Sequence, residues 1–472
     1  MPLQTANIIG SGPNGLAAAI TLAQRGVAVT VYERNARLGG ACSSGEVTLP
    51  GFHHDLGSSV YPLGVCSPFF KSLPLEAHGL RWIHPSAPLA HPFDDGTAVL
   101  LERSIKQTAS QFTPRDYRAW RSLMEPIVAD WPAILDAVTH PLLSIPKHPF
   151  AMARFGLKAM LPATTLTRTT FLKGPAKALF AGCAAHSVLP LSRVASSATG
   201  LVLAAAAHTT GWPIVAGGAQ SLSNALAAYL ESLGGCIQLN TEITHLTKLP
   251  PADATFFDTS INALTHIASP ALTPSYLSSV RNFKPGPGIF KLDWALSEPI
   301  PWRAEICSRA ATVHLGGSLE EIVRSEHDAF YGRPNSKPFV LLVQPSLFDP
   351  TRAPAGKHTA WAYCHTPAGS TADLTEIVEA QVTRFAPHFR DTILARRASN
   401  STALAAWDPN LAGGDISGGA MTLTQLAFRP TARGYRTSNP QLFLCSSSTP
   451  PGGGVHGMCG HLAAEVALKS LA

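Results

Sequence analysis

The chain has 472 residues, too many for one ordinary hydrophobic core, so two domains or one interleaved pair are expected. Hydrophobic residues make up 45% and charged residues 14%, against roughly 25% charged in typical soluble domains, which points to an unusually apolar interior or cleft. A net charge of +6 without a dense basic run argues against a nucleic-acid partner.

In chain order, "TANIIG" reads as a short apolar strand. Gly15 to Arg25 follows as a helix with Leu16, Ala19, Ile20 and Ala23 on one face. "VAVTVYE", 27–33, is a second strand, continuous in apolar character as a buried parallel strand should be. This is a βαβ start. From Leu80 to Arg103 the signals are short strands, with Asp95–Gly96 as a hairpin turn. Residues 113–187 read as helices broken by prolines. The most apolar stretch, Val194 to Ala207, is shorter than the roughly 20 residues of a membrane-spanning helix. A glycine-bounded helix covers 217–235, and the strand "CIQLNTEITHL" follows it. "ATFFDTS", 254–260, is another apolar strand. "KPFVLLVQPS" and "KHTAWAYCHTP" read as neighbouring strands, and 371–386 as an amphipathic helix. "LFLCSSS" leads into the glycine turn of "TPPGGGVHGMCGHLA", and "CGHLAAEVALKSLA" closes the chain as a helix.

The cysteines are scattered, with none in C-x-x-C, so neither a metal site nor a redox dithiol is expected. No basic segment precedes the first strand. Both features fit a reducing, cytoplasmic location.

Gly10-x-Gly12-x-x-Gly15 between strand and helix carries the first chemistry. Gly10 allows the tight turn, Gly12 lets a pyrophosphate approach the backbone, and Gly15 lets the helix pack on the strand. The helix N-terminus then offers free amides to phosphate. Glu33 ends the second strand, where a carboxylate accepts hydrogen bonds from ribose hydroxyls. The Gly39–Gly40 pair beyond it, and Asp55-x-Gly57, favour the longer flavin dinucleotide over NAD.

Gly10-x-Gly12-x-x-Gly15 with Glu33, then Arg37-x-Gly39-Gly40, then Phe52-x-x-Asp55-x-Gly57, resembles the amine oxidase and phytoene desaturase superfamily of flavoproteins. "WAYCHTP", "DPNLAGGDISGGA" and "SSSTPPGGGVHGMCG" are similar to its phytoene dehydrogenase-related subgroup. The resemblance implies an α/β fold in which a Rossmann-like, glutathione-reductase-type FAD domain is interleaved with an α+β substrate domain. Segments 1–75, 206–264 and 401–472 would form the first, and 76–205 with 265–400 the second, including a basic helical cap. FAD would be held by Gly10, Gly12, Pro13, Asn14, Gly15, Glu33, Arg34, Arg37, Gly39, Gly40, Ala41, Asp55, Gly57 and Ser58. From the C-terminal turn, Gly453, Gly454, Val455 and Gly457 would join them. Two separate nucleotide sites are the alternative, but the second glycine cluster lacks a following strand and acid. Amine oxidases commonly carry a basic residue directly after the double glycine, and here Ala41 and Cys42 follow.

Between Ala137 and Leu230 there is no Asp or Glu, whereas Lys147, Arg154, Lys158, Arg168, Lys173, Lys177 and Arg193 stand among apolar residues. Such a region serves as a plain cap, as a peripheral contact with an anionic membrane through 137–205, or as an anion site. Membrane association therefore stays open beside the cytoplasmic expectation. His456, Asp55 and His365 are the candidate acid–base residues, with His54 beside them. Trp361, Tyr363 and His365 alternate on one strand and share a face. The expected reaction is hydride transfer between an apolar, lipid-like substrate and flavin, as dehydrogenation, reduction or isomerisation, with no particular electron acceptor indicated. Oxidation of amines by oxygen and a flavin-bearing interaction protein with little turnover are the alternatives.

Overall fold

Short valine- and isoleucine-rich runs build the first sheet. In the computed structural model, which describes residues 3–471, the strand Thr5–Ile9 lies at its centre. Ala28–Tyr32 and then Cys236–Gln238 extend it on one side, and Ala254–Phe257 and then Leu442–Leu444 on the other. Every pairing is parallel, so both faces must be covered.

Small residues make that covering close. The helix Pro13–Ala23 packs against the closing helix Met458–Ser470 and against Ala219–Ser232. A Cβ placed on Gly460 would run into the backbone carbonyl of Asn14. The two ends of the chain therefore meet at a contact that glycine alone permits.

The second sheet has seven strands, in the order Ile393–Ser399, Gly288–Leu296, His358–Thr366, Val340–Val343, Ala310–Leu315, Ala87–Pro92 and Ala98–Leu101. Its pairings are antiparallel except that of Ala310–Leu315 with Ala87–Pro92. Asp95 and Gly96 do turn the hairpin between the last two strands, with the amide of Gly96 bonded to Phe93 O. Every residue of Gly288–Leu296 is buried. Phe290, Leu292, Trp294 and Leu296 alternate with Lys291 and Asp293, a period of two that marks the strand in the sequence.

Helices Pro114–Ala129, Trp131–Val138, Pro149–Ala159, Ala163–Thr170, Gly174–Ala185 and Ser196–Thr209 form a cap over this sheet and share one core with it. Thr113 caps the first of them through Asp116 N, with Pro114 at its first position. The buried Asp116 carboxylate then accepts from the amides of Leu172 and Lys173, at 2.6 and 2.8 Å, tying distant turns of the cap together. The apolar stretch around Val194 becomes the central helix Ser196–Thr209, buried almost all round, as a helix without a polar face must be. Among the described residues no helix is long and apolar enough to cross a membrane.

The strand expected after Cys236 is shorter than its sequence suggests. It ends at Gln238, and Asn240, with φ of 54°, turns the chain. The amides of Asn240 and Thr241 then bond to the carbonyls of Asn35 and Glu33. These bonds outweigh the β propensity of the "NTEITHL" run and carry 241–244 towards the first glycine turn.

Candidate functional site

One cavity of about 1290 Å³ runs between the two sheets and the cap. Gly10, Gly12, Pro13, Asn14, Glu33, Arg34, Arg37, Gly40, Ala41, Gly57 and Ser58 line it from the N-terminal segment. Gly453, Gly454 and Val455 line it from the C-terminal turn. Both glycine turns thus face the same space.

The first turn is built by close approach. Gly10 has φ of 98°, and its amide donates to Tyr32 O at 2.9 Å. A Cβ on Gly12 would stand 2.5 Å from Asp258 Oδ2. Gly15 abuts the carbonyl of Gly10 and does not line the cavity; its amide donates to Asp258 Oδ2 at 2.8 Å. Glu33 is held from two sides. Its Oε2 accepts from the amide and hydroxyl of Ser11 at 3.1 and 2.7 Å, and its Oε1 from the amide and side chain of Asn35, both at 2.9 Å. Gly39 sits beneath this turn, its amide on Ser11 Oγ at 3.1 Å, and leaves the cavity wall to Gly40.

Asp258 ends the strand Ala254–Phe257 and lines the cavity beside these groups. Burial pushes its carboxyl up to about 7, helped by the nearby carboxylates of Asp408 and Glu33 and opposed by the Gly15 amide. Sequence reasoning passed over it. The available signal was an acid between a strand and the Ser260 cap of the next helix.

Asp55 lies behind the wall rather than in it. Arg352 Nη2 stands 2.8 Å from its Oδ1, Ser44 Oγ donates at 2.7 Å, the Ala219 amide donates at 2.8 Å, and Ser59 adds a short bond. Burial alone would raise its pKa, but the Arg352 guanidinium and these donors hold it below the ordinary value. All its partners are structural, so the site uses Asp55 to fix the loop that carries Gly57 and Ser58. Gly57 needs no side chain because a Cβ would strike Ala41 O.

The C-terminal turn is shaped from beneath by Arg429, whose Nη2 donates to the carbonyls of Gly418 and Ser447 at 2.7 and 2.9 Å. His456 is 2% exposed and lies outside the lining. Its Nδ1 accepts from the Met458 amide at 3.1 Å, and its carbonyl accepts from Ser67 Oγ at 2.6 Å. Burial pushes it down to about 4, so it is a neutral brace for the turn at ordinary pH. Gly457, with φ of 70°, starts the closing helix against Phe69 and Phe70. Cys459 is buried and bonded to Gly452 O, with its thiol pushed up to about 11 by burial.

The family model for the NAD(P)-binding Rossmann-like domain matches residues 8–73. Mouse pyridine nucleotide-disulfide oxidoreductase domain-containing protein 2 is 26% identical over 100% of this chain and 94% of its own length. The 4,4'-diapophytoene desaturase (4,4'-diapolycopene-forming) of Methylomonas sp is 21% identical over 76% of this chain and 73% of its own. The structure of wild-type putrescine oxidase bound to putrescine shares the fold, with TM-score 0.62, 15% identity and 99% of both chains covered. These relatives fit the superfamily of flavin-dependent oxidoreductases that includes phytoene desaturases and amine oxidases, which the chain resembles over its whole length. It is an oxidoreductase.

The cavity wall away from the glycine turns is built by two neighbouring strands and the cap. Ile289 and Lys291 come from one strand, Trp361 and Tyr363 from its neighbour, with Lys291 opposite Tyr363 in register. The cap contributes Met152, Phe155, Val202 and Leu203. Lys291 is buried, ion-paired with Asp293, and its Nζ lies 5.0 Å from the Trp361 ring centroid. His365 is one step further along the strand and outside the lining, its Nδ1 2.7 Å from Glu326 Oε2. His54 Nε2 is engaged by Thr48 at 2.8 Å, and burial with the nearby Lys291 and Arg352 charges pushes it down to about 3. No group of three or more metal-ligating side chains occurs among the described residues.

Proposed function

We propose that the cavity holds FAD together with an apolar molecule, and that the chain oxidises, reduces or isomerises a carbon–carbon double-bond system in that molecule. The observation that carries this reading is the single cavity shared by both glycine turns and the apolar cap. Its volume exceeds the roughly 300–1,000 Å³ of ordinary single-ligand pockets. The residues fit a flavin dinucleotide. Gly12 and Gly453 line the cavity and have no room for a Cβ, which would meet Asp258 and Ser417, so the wall of both turns is backbone. Glu33 suits ribose hydroxyls, and the start of the first helix suits the diphosphate. When bound, FAD supplies a two-electron hydride acceptor or donor. The chain's own residues then bind, orient and dry the substrate, through the cap and the Trp361–Tyr363 wall.

The mouth supports entry from a membrane surface. Leu142, Ile145 and Met160 line the cavity and are also 56%, 94% and 48% exposed. Phe150 and Leu157 beside them are 90% and 76% exposed, with Lys147, Arg154 and Lys158 between. Exposed apolar side chains interleaved with basic ones, of which Lys147 and Arg154 are ion-paired with Asp136 and Asp130, suit the headgroup region of a bilayer. Amine oxidation is less well supported, since Ala41 and Cys42 stand where amine oxidases commonly carry a basic residue after the double glycine.

Absorbance spectroscopy of the purified protein, then anaerobic titration, tests the reading. Flavin absorbance that bleaches with a host lipid fraction is the expected result. A colourless protein after reconstitution, or bleaching by amines alone, overturns it.

A further inference from the structure

The helices Trp131–Val138 and Pro149–Ala159 are joined by a strap that the rest of the protein leaves uncovered. The helices themselves are anchored in the core of the cap, one through Trp131, Ile134 and Leu135, the other through Phe155 and Ala159. Between these anchors every residue from Leu142 to Phe150 is exposed. Leu142, Ser144, Ile145 and Lys147 nevertheless line the cavity. The strap therefore stands at the cavity edge with apolar side chains on water.

Sparse bonding leaves it free to move. Among the described residues, Pro141 to Lys147 make two hydrogen bonds: Ser144 N donates to Pro141 O at 2.9 Å, and Lys147 Nζ to Asp136 Oδ1 at 3.0 Å. The first lies within the strap. The second is an exposed ion pair, of the kind that water and salt weaken. Segments with few apolar contacts and solvated backbone are the ones that open most readily. Pro141, Pro146 and Pro149 restrict the torsions inside the strap, so bending concentrates at its ends. At the first end Thr139 is buried, its hydroxyl donating to Leu135 O at 2.7 Å. At the other, Pro149 opens the next helix. Leu142 and Ile145 line the cavity whereas Leu143 between them does not, so one side of the strap faces inward. An apolar occupant gives that side a surface to be buried against, and an empty cavity does not. That difference biases the strap between two positions.

We propose that residues 140–148 form a lid that swings onto the apolar molecule in the cavity and shuts it off from water. This rests on the reading above of an apolar substrate cavity. Closure buries Leu142 and Ile145 on the occupant and dries the site. A bilayer that takes up the same side chains holds the lid open, so the cavity loads at the membrane and closes away from it.

Limited trypsin digestion of the purified full-length protein, with and without diphenylhexatriene, tests the proposal. This neutral polyene hydrocarbon reports its own binding by fluorescence. Trypsin cuts after Lys147 in the open strap, and the rate tracks the open population when closing outpaces cutting. Saturating diphenylhexatriene is expected to slow cutting of the Lys147–His148 bond at least about tenfold. Cutting of the exposed Lys357–His358 bond, outside the cavity lining, should change less than about twofold. Combining Leu142→Ser with Ile145→Ser removes the inward apolar cover and is expected to abolish the protection. Thermal melting checks that this variant folds, and Ile145→Ser alone replaces it if it does not. Bound diphenylhexatriene with unchanged cutting at Lys147, or protection that persists in the serine variant, overturns the lid and leaves the apolar cavity standing. A protein that binds no diphenylhexatriene overturns the apolar cavity, and the lid with it.

Discussion

Asp258 gives the sharpest test of the dinucleotide end. It places a carboxylate at the N-terminus of the first helix, where its Oδ2 accepts from the Gly15 amide. Its pKa rises from an ordinary 3.8 to about 7 in the folded chain. The sign follows from proton counting. Between pH 3.8 and about 7 the folded chain keeps a proton that the unfolded chain has lost, so stability falls as pH rises through that window. At about 1.4 kcal/mol per pH unit, full ionisation costs on the order of 4 kcal/mol. Asp258→Asn keeps an acceptor for Gly15 and cannot ionise. The variant is therefore expected to match the parent near pH 4 and to exceed it by up to about 4 kcal/mol above pH 7. Urea unfolding of both proteins across this range gives the difference directly, and contributions from other groups cancel in it. The diphosphate proposed for the same helix end repels an ionised Asp258. Cofactor affinity should then weaken as pH rises through about 7 in the parent and stay level in the variant. Parallel stability curves for the two proteins would refute the reasoning.

Other consequences are open to direct measurement. Gly460→Val drives a branched side chain into Asn14 O and should separate the closing helix from the first, with a large fall in melting temperature and loss of retained cofactor. Arg352→Met leaves the buried Asp55 carboxylate unpaired and should cost about 3–5 kcal/mol in urea unfolding. Adding Asp55→Asn should recover part of that loss. Burial holds His91, His208 and His456 near 4, so each contributes stability above about pH 6.5 that is lost as pH falls towards 4. His456→Asn should flatten one share of that acid loss. Paired Ile145→Ser and Phe150→Ser changes should abolish sedimentation with phosphatidylserine vesicles while leaving the melting temperature within a few degrees, because both side chains are more than 89% exposed.

What could be read from the sequence had a local cause. The parallel strand Ala28–Tyr32 announces itself as a valine run, and the first glycine turn carries its spacing on one line of sequence, because each glycine answers a contact made within a few residues or by the adjoining strand. Gly57 is legible as a small residue, although the reason for it, the carbonyl of Ala41, is visible only when the loop closes. The histidines show the opposite case. His456 and His365 look like acid–base candidates because sequence offers residue type alone. Their environments are set by Met458, Ser67 and Glu326, and these bind them outside the cavity wall. Asp55 is similar, since its partner Arg352 lies some 297 positions away and no pattern links the two. Lys291 and Asp258 were illegible for a further reason. Asp258 ends a continuous apolar strand without a period, and Lys291 lies on the polar side of an alternating one, where pattern gives residue type but neither burial nor partner. A charge survives there only by tertiary pairing or by shifting its pKa. Lys291 takes the first course with Asp293, and Asp258 takes the second. Both line the cavity. The residues that the sequence conceals are thus the ones whose burial is expensive, and that expense is what makes them informative about the site.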